Sequence, residues 1–111
     1  MDGIAPEIKD FTARVNQHFM VKRAIFFGSR ARKDHLKDSD YDIIIVSDDF
    51  AGIPFTDRIS LLYKYWTAEE AVEPLCYTQE EFEKKARQIG VVAEAIKEGI
   101  EVTIEGEAKK D

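Results

Sequence analysis

Apolar residues change their period several times along the chain, and each change marks an element. Ile4, Ile8, Phe11, Val15 and Phe19 recur at intervals of three and four, which places them on one face of a helix over residues 4–19. The run Ala24-Ile25-Phe26-Phe27, closed by Gly28, then predicts a strand over residues 23–27. Residues 29–39 are polar and charged and read as a short helical turn followed by a loop. Three consecutive isoleucines and a valine make residues 41–46 the clearest strand, because β-branched side chains suit a pleated surface. Ser47-Asp48-Asp49 ends it. A second helix is predicted over residues 54–66, with Pro54 suited to its first turn.

A third strand is expected over residues 71–77, where Pro74 removes a ladder donor and so favours an edge or bulged position. Thr78-Gln79-Glu80-Glu81 is a capping box: the hydroxyl accepts from the third helical amide while Glu81 reaches back. The helix it opens carries Phe82. A further helical stretch runs through residues 91–96 to a stop near Gly99, and residues 101–104 suit a short edge strand. Residues 106–111 form a polar tail, leaving residues 1–105 as a single domain. Without linker or repeat, the order of elements describes one α/β-type layer domain with a small sheet.

Composition narrows the setting. The 111 residues allow one modest core, and 44% hydrophobic residues are enough to build it. A net charge of -6 argues against an extensive basic surface for nucleic acid, though not against a small phosphate pocket. Cys76 is the only cysteine, which excludes an internal disulfide and suits a reducing, cytoplasmic compartment. It reads as a small hydrophobe in mid-strand. No apolar run approaches the roughly 20 residues needed to span a bilayer, so no membrane partner is expected. His18 and His35 have no partners at zinc-ligand spacing. Tyr63, Tyr65 and Trp66 cannot all face one way, so part of this aromatic stretch is available to a partner, and self-association is compatible with it.

Chemistry concentrates at two places. Asp40 and Asp42, at the entry to the isoleucine strand, project from the same face about 6–7 Å apart along the backbone. Carboxylates so placed repel unless a cation stands between them, and magnesium is the expected cation. Alone, an Asp-x-Asp would more often merely solvate a strand entrance. Twelve positions upstream of Asp40, however, Gly28 closes a strand and Ser29 opens a basic turn. A glycine there lets backbone approach a phosphate, and the amides of a helix start favour anions. Ser29 adds a hydroxyl, and Arg30 and Arg32 add planar donors for phosphate oxygens.

Gly28-Ser29, ten intervening residues, then Asp40-x-Asp42 resembles the signature of the DNA polymerase β-type nucleotidyltransferase superfamily. The run GSRARKDHLKDSDYDIIIV and the downstream EPLCYTQEEFEK resemble its minimal nucleotidyltransferase branch. The resemblance implies a polymerase β palm-like α+β fold, a small mixed sheet with helices packed on it. It implies a nucleoside triphosphate, such as ATP, on Gly28, Ser29 and Arg30, and two magnesium ions held by three catalytic carboxylates. Two of these are Asp40 and Asp42. The third falls on Glu73, with Glu69 and Glu70 as nearby alternatives. Lys33 departs from the family, which often has glycine at that position.

Members of this branch are often paired with a helical HEPN-domain protein and act as its antitoxin, some by transferring AMP to a tyrosine of that partner. The resemblance therefore implies transfer of AMP to an acceptor hydroxyl on a HEPN toxin. The competing expectation is a non-catalytic antitoxin or nucleotide-sensing module that works by direct contact.

Overall fold

The computed structural model describes residues 3–104, so the expected tail at 106–111 lies outside the described residues. Helix α1 (Pro6–Asn16) starts at a proline that suits the first helical turn, and it buries Ile8, Phe11 and Val15. It is shorter than the periodicity predicts. Ile4 and Phe19 still pack against the core from outside the helix, so their spacing reported burial rather than helical extent.

Strand β1 (Arg23–Phe27) and strand β2 (Tyr41–Val46) fall where the apolar runs place them. Between them lies α2 (Ser29–Arg32), a single turn. After a 3-10 turn at Asp48–Phe50 comes α3 (Phe55–Tyr63), for which Pro54 is the N-cap rather than the first helical residue. Strand β3 (Val72–Tyr77) leads into α4 (Gln79–Ala86), and both halves of the Thr78–Glu81 capping box form. Helix α5 (Val91–Glu98) and the two-residue strand β4 (Ile100–Glu101) complete the described chain.

The sheet order is β3-β2-β1-β4. β1 runs antiparallel to β2 and β4, while β2 and β3 are parallel, which makes the sheet mixed. Pro74 accordingly lies on an edge strand, as its missing N–H requires.

Both faces of the sheet are covered. Ala24, Phe26, Ile43, Ile45 and Cys76 meet α1 and Leu62 of α3 on one side. Ile25, Ile44, Val46 and Tyr77 meet Phe82 of α4 and Val92 and Ala95 of α5 on the other. A strand buried on both faces shows a continuous apolar run instead of alternation, which explains the isoleucine block. Each fully buried aliphatic side chain contributes about 1.5–3 kcal/mol, so the two layers together fix the register that positions Asp42.

Arg58 is the one charged residue buried in this frame among the described residues. Its guanidinium donates to Glu81 through two nitrogens and to the carbonyls of Ile53 and Cys76, joining α3, β3 and the start of α4. The Cys76 thiol is fully buried, and desolvation pushes its pKa up to about 12, which keeps it protonated and inert. Of the aromatic stretch, Trp66 packs edge-on against Phe11 and Tyr65 stacks on His18, leaving Tyr63 half exposed.

Candidate functional site

Residues 42, 44 and 46 alternate onto the face covered by α4 and α5. The two helices cover Ile44 and Val46 but leave Asp42, nearer the strand's start, only half-buried. Asp40 is exposed just before the strand, on the same side by alternation. The parallel pairing sets Glu73 directly across from Asp42, and register partners share a face. Glu73 is exposed. Glu69 and Glu70 go elsewhere: with Pro6, Glu7 and Asp10 they line an open cavity of about 510 Å³ against α1.

The carboxylates feel one another. Burial pushes the Asp42 pKa up from its ordinary 3.8 to about 6, and Glu73 and then Asp40 add to the rise. The charge of Arg32 works in the opposite direction. At neutral pH Asp42 is ionised, but at an energetic cost that a cation would remove.

Gly28 is the N-cap of α2 with φ 85° and ψ -169°, backbone that side chains rarely permit. A β carbon at Gly28 would land on the Asp42 carboxylate. The turn that opens α2 and the acidic strand therefore touch only because residue 28 is glycine. A glycine N-cap also brings no side chain to accept from the leading amides of α2, which leaves that turn suited to an anion. Ser29 begins the same turn, half-buried, with its carbonyl accepting from the Asp34 amide.

Arg30 is placed differently from what the motif suggests. Its Nε donates to the Ser39 carbonyl at 2.7 Å and its Nη2 to the Lys37 carbonyl at 2.9 Å. Its guanidinium carbon lies 4.2 Å from the centre of the Tyr41 ring. Tyr41 packs beside Phe26 and Trp66 on the α1 side of the sheet, away from the carboxylates. Arg32, half exposed and paired with Asp34, is the arginine whose charge reaches Asp42. Lys33 closes α2 in the left-handed conformation at φ 66°, where glycine is the usual residue.

Among the described residues, no three His, Cys, Asp or Glu side chains converge into a ready metal cage. The donors nevertheless fit magnesium. It takes hard oxygens, often only one or two carboxylates, and completes its shell with water and substrate phosphates. Asp42 beside Glu73, with Asp40 on the same face and the bare Cα of Gly28 against them, supplies that kind of partial shell.

The fold is thus an α+β domain with a mixed sheet covered on both faces, and it sets an acidic cluster beside a glycine-capped turn. A family model described as nucleotidyltransferase domain matches residues 7–106, and the chain belongs to that family. Among solved structures it is similar to a Sulfolobus solfataricus protein assigned as a nucleotidyltransferase. The two are 25% identical with a TM-score of 0.57, over 70% of this chain and 69% of the other. No curated protein matches. The chain is thus a transferase of nucleotidyl groups. Among the described residues, no helix is long and apolar enough to cross a membrane.

Proposed function

We propose that this domain transfers AMP from magnesium-bound ATP to an acceptor hydroxyl on a partner protein, and that a helical HEPN-domain toxin is that partner. The observation that carries the chemistry is the register pairing of Asp42 with Glu73, with Gly28 pressed against the Asp42 carboxylate. The partner is inferred from resemblance to antitoxin-type minimal nucleotidyltransferases.

Asp40, Asp42 and Glu73 would hold the metal. Bound magnesium supplies positive charge that offsets the mutual repulsion of the acids and the charge developing on the phosphate oxygens. The turn at Gly28 and Ser29 presents amides and a hydroxyl to the triphosphate, and Arg32 adds a cation on the carboxylate side. The acceptor hydroxyl attacks the α-phosphorus in line. The bond to the β-phosphate oxygen breaks and pyrophosphate leaves. The carboxylate nearest the acceptor takes its proton.

Calorimetric titration of ATP with magnesium into wild type and Asp42→Asn tests the site. Strong binding by wild type and loss in the variant is expected, whereas equal binding by both would sink the assignment. Intact-mass measurement of a co-purified HEPN partner, with and without ATP, tests the acceptor. A gain of one adenylyl group supports transfer. A stable complex that gains nothing would instead make the chain a contact antitoxin.

A further inference from the structure

Asp40 lies between two residues that are held by the same side chain. Before it, Ser39 accepts from Arg30 Nε through its carbonyl. After it, Tyr41 lies buried with its ring under the Arg30 guanidinium. A second nitrogen of Arg30 reaches the Lys37 carbonyl, so one planar fork spans the end of the loop and the start of β2. The loop is also closed on itself, because the Leu36 amide donates to Ser39 Oγ and the Ser39 amide to the Leu36 carbonyl. Asp40 itself is exposed, so its place depends on the backbone on either side of it.

We propose that Arg30 is a positioning residue for Asp40, clamping the Ser39 carbonyl and the Tyr41 ring so that the exposed carboxylate stays on the Asp42 side of the sheet. The geometry suits arginine alone. A guanidinium can donate along two directions in its plane while its face stacks on an aromatic ring. Lysine at the same position keeps the charge but is a point donor that cannot bridge the two carbonyls and stack at once. The role rests on the proposed metal function of Asp40. The clamp itself is a separate, measurable feature of the loop.

Three measurements on Arg30→Gln, Arg30→Lys and Arg32→Gln test the inference. The first is amide hydrogen exchange over residues 36–41. Losing a charge-assisted bond to a carbonyl shifts a local opening equilibrium by at least about tenfold, so exchange should quicken by at least about that factor in both Arg30 variants. Arg32→Gln should leave it unchanged. The second is Mn²⁺ binding without nucleotide, followed by electron paramagnetic resonance. Loss of an orienting contact to a ligand typically weakens metal binding by about tenfold or more, and that is expected of both Arg30 variants. The third is ATP binding in EDTA, where Arg30→Gln should stay close to wild type and Arg32→Gln should weaken.

Unchanged loop exchange in Arg30→Gln would overturn the clamp, and wild-type Mn²⁺ binding in that variant would overturn the positioning role toward Asp40. A loss of metal-free ATP binding greater in Arg30→Gln than in Arg32→Gln would make Arg30 a phosphate ligand and refute the inference. Wild-type protein that takes up neither Mn²⁺ nor ATP would instead refute the functional reading of the preceding section. The role toward Asp40 would go with it, while loop exchange would still decide whether the clamp exists.

Discussion

Replacing Asp42 with asparagine should abolish metal binding and at the same time make the metal-free protein more stable. The Asp42 carboxyl is raised from 3.8 to about 6, first by burial and then by Glu73 and Asp40. At about 1.36 kcal/mol per pKa unit, its ionisation in the folded state is penalised by up to about 3 kcal/mol. Solvent reaches the half-buried group and screens part of this, so about 1–2 kcal/mol is the expected gain at pH 7.5. Because the folded pKa lies above the unfolded one, the penalty is absent below about pH 4, grows between about pH 4 and 6, and is complete above that range. Asparagine keeps the shape and removes the charge. Urea denaturation in EDTA at pH 4.5 and 7.5 measures the difference. The variant should gain little at the lower pH and about 1–2 kcal/mol at the higher, which is several degrees in melting temperature for a domain of this size. Added magnesium should stabilise wild type and leave the variant where it was. A variant less stable than wild type at pH 7.5, or an advantage that does not grow with pH, would refute the electrostatic account of the site.

Three further substitutions test the frame around the carboxylates. Gly28→Ala forces a side chain into φ 85° and onto the Asp42 carboxylate, which should cost about 2–4 kcal/mol in urea titrations. Adding Asp42→Ala should recover the steric part and leave the backbone part. Lys33→Gly relieves a left-handed non-glycine residue at φ 66° and should gain about 0.5–1 kcal/mol net of the extra unfolded-state entropy. Lys33→Ala should gain nothing, and equal gains would assign the effect to the lost charge. Arg58→Ala strands the Ile53 and Cys76 carbonyls and a half-exposed Glu81, for an expected loss of about 2–4 kcal/mol. The Arg58 hydrogen bonds hold the Glu81 carboxyl below its usual range. That contribution is therefore complete above the ordinary glutamate pKa and lost as pH falls through the depressed one. Glu81→Gln should flatten this acid limb of the stability profile.

Which of these features could be read in the sequence follows from how local each one is. Strands β1 and β2 were legible to the residue because each apolar run gives way to a turn, at Gly28 in one case and at Ser47-Asp48-Asp49 in the other. The Thr78–Glu81 box was legible because its partners are three residues apart. Helix ends were less so. Phe19, Tyr65 and Trp66 keep the helical spacing and reach the core, yet they do so from turns beyond α1 and α3. Periodicity reports which side chains are buried, and a turn can bury them as well as a helix can.

The site divides in the same way. Asp40 and Asp42 are two apart, so alternation alone sets them on one face. In the sequence only the distance to Thr78 favours Glu73 over Glu69 and Glu70, and that distance places none of the three in space. The separation comes from the parallel register, which pairs Glu73 with Asp42 while the others turn toward α1. Arg30 is the instructive case. As a basic residue after Gly-Ser it has the chemistry of a phosphate ligand, and nothing local distinguishes it from Arg32. What diverts it is Tyr41, which alternation sends to the opposite face from its two aspartate neighbours and whose ring draws the guanidinium with it. The same period of two that gathers the acids on one side thus carries their anchor to the other. A short sheet with both faces covered can keep an unfavourable cluster of carboxylates this way, because the strand that bears them is held from behind.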